Sequence, residues 1–182
     1  MEGAPDEELM LAYGRGDAGA FETLYKRHRG ALFRFVLRAL SNSTGHRSTA
    51  EELFQEAWIR VIEARSRYKP QARFTTWLYT IAHNLLVDHW RKKGLSLVQL
   101  DDDPPLAAPD NPARQAEARE SLARLLQAIE ALPAAQREAF LLHEEGGLSV
   151  AEIAAVTGAG EEATKSRLRY AMAKLKAAVD DD

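Results

Sequence analysis

Trp77, Ile81, Asn84, Asp88 and Arg91 follow one another at spacings of four, three, four and three, which places them on one face of a helix. An aromatic ring, a side-chain amide and a guanidinium on one face match three features of an unpaired nucleic-acid strand. The ring can stack on a base, a contact worth roughly 1–3 kcal/mol. The amide can pair with a base edge, and the cation can hold a phosphate. Arg91 continues into Lys92 and Lys93, and the preceding loop, "RYKPQARF", adds Tyr68, Lys69, Arg73 and Phe74. Two readings of this stretch stand side by side. Trp and Tyr on amphipathic helices commonly pack in a core with a wet polar end, and cations in a last turn are favoured by the helix dipole. Local charge supports strand binding: from 60 to 93, eight cations meet only Glu63 and Asp88, a balance of +6 in a chain of net charge −3. Acid collects at both ends and at 101–103, so a basic surface on a mildly acidic body is expected.

The elements that must hold these residues are helical. Apolar residues recur three or four apart with no lasting alternation, so the 182-residue chain reads as all-α, with two small helical domains. The first covers 1–94. Asp17 can cap a helix carrying Phe21, Leu24, Tyr25, His28, Leu32, Phe35 and Ala39 inward and stopping near "SNSTG". Thr49 with Glu52 has capping-box spacing before the stripe Leu53, Ala57, Val61 and Ile62. Pro70 ends that helix. Thr75 or Thr76 can cap the next, with Leu78, Ala82, Leu85 and Leu86 inward. Four prolines and an acid run make 95–112 a flexible exposed linker.

The second domain, 113–182, has Leu122, Leu125, Leu126 and Ile129 on its first helix, a break at Pro133, and a further stop at Gly146 or Gly147. Ser149 and Glu152 form another capping-box pair, Gly158 permits a tight turn, and a last helix carries Leu168, Ala171, Leu175 and Val179 inward. A short helix, a glycine turn and a longer helix bearing Lys165, Ser166, Arg167 and Arg169 near its start have the helix-turn-helix pattern. Those cations suit the major groove, whereas Glu161 and Glu162 repel phosphate. Phe54, Trp58 and Ile59 make either a docking patch or a wide buried face.

Catalysis finds little support. The five histidines are scattered, and no HExxH, paired-carboxylate site or glycine-rich phosphate loop is present. No metal site or cofactor is expected. The absence of Cys excludes disulfides and thiolate chemistry, and no membrane span or secretory signal is legible, so a cytoplasmic protein is expected.

The succession "AEELFQEAWIRVIEARSRY", "FTTWLYTIAHNLLVDHWRKKG" and "ALPAAQREAFLLHEEGGLSVAEIAAVTGAGEEATKSRLRYAMAKLKAAV" strongly resembles the extracytoplasmic-function (ECF) group of sigma-70 family sigma factors. The resemblance implies a non-enzymatic promoter-specificity subunit: sigma domain two, the linker and sigma domain four, binding core RNA polymerase and promoter DNA to initiate transcription. It implies docking on core polymerase by Leu53, Gln55 and Glu56, with Glu52 where Asp is frequent. Tyr68, Lys69, Arg73, Phe74, Ile81 and Asn84 would capture a flipped base of the minus-ten element, Trp77 would support the melted strand or the core, and Arg91, Lys92 and Lys93 would hold phosphates. Lys165, Ser166, Arg167 and Arg169 would meet the minus-thirty-five element. An anti-sigma factor is implied as a controlling partner. The chain departs from the family pattern in its last helix: Ala163 replaces the usual Thr, Thr164 the usual Val, and Tyr170 and Met172 stand where Arg is common. Weak or unusual upstream binding follows. Two other readings remain open, a sigma-like decoy for an anti-sigma protein and a helix-turn-helix repressor.

Overall fold

The computed structural model describes residues 3–40, 46–94 and 117–180. Among them the chain is all-helical: α1 (Asp6–Gly14), α2 (Ala18–Ala39), α3 (His46–Ala64), α4 (Phe74–Lys92), α5 (Glu117–Ala131), α6 (Ala134–Glu144), α7 (Val150–Thr157) and α8 (Glu161–Asp180). None is long and apolar enough to cross a membrane. The linker expected at 95–112 and the stop expected near "SNSTG" (41–45) lie outside the described residues.

Local signals set most boundaries. Asp17 accepts a hydrogen bond from the Ala20 N–H at 3.2 Å and so starts α2. Ser149 and Glu152 close a reciprocal capping box at α7, and Gly158, at φ 73°, turns the chain into α8 from the left-handed region. Two starts differ from expectation. α3 begins at His46, so Thr49 lies inside its first turns; Arg47 pairs with Glu51 one turn on, and extending a helix by a few residues needs little once it has nucleated. α4 begins at Phe74 with neither Thr75 nor Thr76 as its cap. The Phe74 N–H instead donates to Glu7 Oε1 of α1 at 2.7 Å.

In the first block α2 packs on α1 and α3, and α3 on α4. Leu9, Met10, Leu24, Leu32, Phe35, Phe74, Leu78 and Leu86 are fully enclosed. Each such side chain contributes on the order of 1.5–3 kcal/mol by leaving water. Trp58 belongs to this interior, with T-shaped contacts to Phe21 and Tyr25. Only Ile59 of the Phe54, Trp58, Ile59 group is largely exposed, at 45%. In the second block α5, α6 and α7 all pack on α8, where Ala171 and Leu175 are buried, while Val179, expected inward, is largely exposed because α8 runs on beyond its neighbours' buried contacts.

The blocks meet directly, α4 against α7 and α2 against α6. Three glutamates of the second block, seven residues apart in sequence, reach the first. Glu138 pairs with His83, both buried. Glu145 accepts from Arg34 Nε at 3.0 Å and Arg38 Nη1 at 2.6 Å. Glu152 accepts from Arg73 Nη1 at 3.1 Å and Thr76 Oγ1 at 2.5 Å. The buried Arg137 donates to the Ala39 carbonyl at 3.3 Å, and burial pulls its guanidinium down to about 10, against the charges of Glu130 and Glu138. It therefore remains a cation at neutral pH.

Candidate nucleic-acid interface

α4 is buried nearly all round, and one stripe escapes. Trp77 and Ile81 are half-buried, and Asn84, Asp88 and Arg91 are exposed. Beside this stripe lies a cleft of about 600 Å³ lined by Arg60, Glu63, Ala64, Arg67, Tyr68, Lys69, Gln71, Trp77 and Ile81. Such a volume falls within the range of small-ligand pockets and admits a nucleobase. The cleft arises because α3 ends at Ala64 and the loop to Phe74 folds back beside α4. Arg60, Ala64 and Arg67, at helical spacing on the end of α3 and just past it, supply one wall.

The structure sorts the sequence-predicted residues by depth. Phe74 is fully buried, its ring 5.4 Å from His28 and 5.8 Å from Trp77; it anchors the loop from inside. Tyr68 keeps only 8% of its surface exposed and meets the Trp77 ring edge-on at 4.9 Å, so it forms a floor for the cleft, not a free stacking platform. Burial, together with the nearby Glu7 and Asp6 charges, pushes its phenol up to about 12, which keeps the floor neutral. Lys69 lines the cleft, and it, Arg73, Arg91, Lys92 and Lys93 are exposed. Of these, Arg73 is held by Glu152. Burial first, and then the charges of Lys93 and Lys92, lower His89 below its ordinary value, so His89 adds no cation at neutral pH.

Sequence reasoning missed Arg60, Glu63, Ala64, Arg67 and Gln71 as lining residues. The available signal was the spacing of the first four at the end of α3, which sets them toward the same loop.

Two further surfaces complete the description. On α3, Glu52, Gln55 and Ile59 are exposed and Glu56 is half-buried, at i, i+3, i+7 and i+4, forming one outward face; Leu53 is half-buried beside it. On α8, Lys165 and Arg169 are exposed and Ser166 and Arg167 half-buried. Lys165 pairs with Glu162 at 3.1 Å, and the Arg169 guanidinium lies over the Tyr170 ring at 5.3 Å. Tyr170 and Met172 are about half exposed, an apolar share of this helix that the cation pattern did not anticipate.

Residues 24–95 match the family description "Sigma-70 region 2" and residues 122–175 match "Sigma-70, region 4". The ECF RNA polymerase sigma factor SigC of Mycobacterium tuberculosis (strain CDC 1551 / Oshkosh) is 32% identical over 98% of this chain and 96% of its own length. The chain belongs to the ECF sigma factors. Another relative, the ECF RNA polymerase sigma factor BldN of Streptomyces coelicolor, is 32% identical over 96% of this chain, which spans 66% of that longer protein. Among solved structures, CnrH in complex with the cytosolic domain of CnrY aligns at a TM-score of 0.66 and 26% identity, covering 97% of this chain and 98% of that one. Sigma factors are transcription initiation factors, not enzymes, and work with core RNA polymerase and promoter DNA. In this sigma factor the region-two match holds the cleft and α4, and the region-four match holds the α7–α8 helix-turn-helix.

Proposed function

We propose that this sigma factor docks on core RNA polymerase through the outward face of α3 and captures an unstacked promoter base in the cleft beside α4. The cleft is the observation that carries the proposal. Its Tyr68 and Trp77 rings form an aromatic floor, Ile81 adds an apolar wall, and cations surround it, a combination suited to one flat base and its flanking phosphates. Unpairing a base requires a few kcal/mol, which stacking and phosphate contacts offset. Asn84 stands on the same stripe to read the base edge, and Lys69, Arg73, Arg91, Lys92 and Lys93 hold the strand. Phe74 supports from beneath. Glu52, Leu53, Gln55 and Glu56 carry core docking. On α8, Lys165, Ser166, Arg167 and Arg169 meet the upstream duplex element. The protein works in the cytoplasm, and an anti-sigma factor restrains it; CnrH, similar in fold, was solved with a protein partner.

The test is association with bacterial core RNA polymerase. The parent chain is expected to bind, and a folded Gln55→Ala, Glu56→Ala variant is expected to lose at least about tenfold in affinity, about 1.4 kcal/mol. One observation favours a second reading: α8 exposes Tyr170 and Met172 where the family pattern has Arg. Failure of the folded parent to bind core polymerase would make a decoy for an anti-sigma protein the better account.

A further inference from the structure

We infer that Glu63 sets which base the cleft accepts, favouring a base that carries an exocyclic amine (adenine, cytosine or guanine) over thymine. This rests on the base-capture reading of the cleft and adds its chemical selectivity.

Glu63 and Asp88 are the only acids between 60 and 93, and of the two only Glu63 lines the cleft. It shares the last turn of α3 with Arg60, which is taken up by Glu56 of the preceding turn at 3.5 Å. Glu63 is exposed and has no such partner among the described residues. Arg67 stands four positions further on, the spacing at which Glu22 closes on Lys26 and Glu120 on Arg124. That pair does not form here, because α3 ends at Ala64 and Arg67 lies in the turn beyond it, its N–H donating to the Ala64 carbonyl at 3.0 Å. The cleft therefore offers one uncommitted carboxylate beside two uncommitted cations, Arg67 and Lys69.

The polar groups of the cleft are unequally shared between donors and acceptors. Arginine and lysine only donate, and a carboxylate only accepts. The Tyr68 hydroxyl is shut away from solvent, which leaves Glu63 and the Gln71 amide oxygen as the acceptors among the cleft's side chains. Every base has ring or carbonyl acceptors that the cations can meet. A donor on the base depends instead on Glu63 and Gln71. Adenine, cytosine and guanine each present an amine, and thymine presents none. The one edge N–H of thymine stands between two carbonyl oxygens, which a carboxylate repels. Glu63 repels strand phosphates as well, so it weakens the binding of any strand that gives it no donor. A hydrogen bond to an ionised acceptor is roughly twice as strong as a neutral one, which gives Glu63 more weight in the choice than Gln71.

Glu63→Gln keeps the shape and replaces one acceptor oxygen with an amide that donates to a thymine carbonyl. Exposed and unbonded, the site tolerates the change without loss of fold. Full-length chains are assembled with bacterial core RNA polymerase, and each holoenzyme selects from single-stranded DNA randomised throughout; sequencing of the bound fraction gives base frequencies. Glu22→Gln, at an exposed carboxylate of α2 outside the cleft, controls for the loss of one negative charge. Trp77→Ala, shown folded by circular dichroism, removes part of the aromatic floor.

The parent is expected to enrich a motif in which one position holds thymine at least about fivefold below the mean of the other three bases, the size of one base-edge contact. Glu63→Gln should bring thymine at that position to within about twofold of that mean and leave the other positions as in the parent. Trp77→Ala should flatten the position altogether. Thymine depletion that survives Glu63→Gln, while Trp77→Ala flattens the position, overturns the role of Glu63 and leaves base capture standing. Relief of the depletion in Glu22→Gln as well assigns it to net charge and also overturns that role. A parent that enriches no motif, or one that neither Glu63→Gln nor Trp77→Ala alters, overturns base capture and the selectivity together. Should Trp77→Ala not fold, an unchanged thymine frequency in Glu63→Gln overturns the selectivity.

Discussion

Asn84 and Asp6 show how differently two polar residues of one domain are used. Asn84 is exposed on α4 and makes no contact that the fold needs. Asn84→Ala is therefore expected to alter stability by no more than about 0.5 kcal/mol while flattening base preference at one promoter position. Competition binding with the four single-base promoter variants, on the assembled polymerase, reads that preference, and an undiminished preference would remove Asn84 from the cleft's function. Asp6 instead ties α1 to α2: its carboxylate lies 2.9 Å from Arg27 Nη1 and 2.8 Å from His28 Nε2. Burial raises its pKa, but the hydrogen bonds and charges of His28 and Arg27 outweigh that, so the group sits below the usual carboxylate range. A depressed carboxyl gives stability that is present above the unfolded-state pKa and is lost as pH falls through the folded one. On acidification from neutral pH, the stability difference between the parent and Asp6→Asn should hold until the usual carboxylate range and shrink below it. Thermal unfolding at a series of pH values measures this.

At the scale of elements, α4 depends on α1 for its beginning. Removing the Glu7 carboxylate leaves the part-buried Phe74 N–H without its acceptor, and Glu7→Ala is expected to lower stability by about 1 kcal/mol, in the range of N-cap losses. Equilibrium urea unfolding gives the value. This cap was not legible in the sequence, because a threonine beside the start of a helix looks local whereas the group used arrives from 67 residues away. Capping boxes within one turn, as at Ser149 and Glu152, were legible because both partners lie within one stretch of chain. Apolar stripes were legible for the same reason: Leu78, Ala82, Leu85 and Leu86 follow the helical period and are buried. Gln136, Arg137 and Glu138 escaped notice, since three consecutive polar residues read as an outward turn of helix. Lys174 of α8 holds Gln136, the Glu130, Leu132 and Ala39 carbonyls hold Arg137, and His83 of the other block holds Glu138. The exposed stripe of α4 was visible from spacing, but the depth of Tyr68 and Phe74 depends on how the loop folds back.

For the molecule as a whole, the decisive feature is that one buried pair, His83 with Glu138, belongs to both blocks. Removing one partner of a buried pair inside a single core typically costs about 3–5 kcal/mol. The buried apolar residues of the two blocks form one continuous core, so the same cost applies here. His83→Leu is expected to lower stability by about 3–5 kcal/mol by stranding the Glu138 carboxylate, and equilibrium urea unfolding gives the value. A loss below about 1 kcal/mol would show that the pair does not hold the blocks together. The order in which a chain is made gives the Arg73–Glu152 contact a further meaning. The two residues are 79 positions apart, and at roughly 5–20 residues per second a ribosome adds the second about 4 to 16 s after the first. During those seconds the growing chain already carries Arg73 and Thr76 and has no Glu152 to pair with them, so the tie between α7 and the start of α4 can form only after most of the chain has been made.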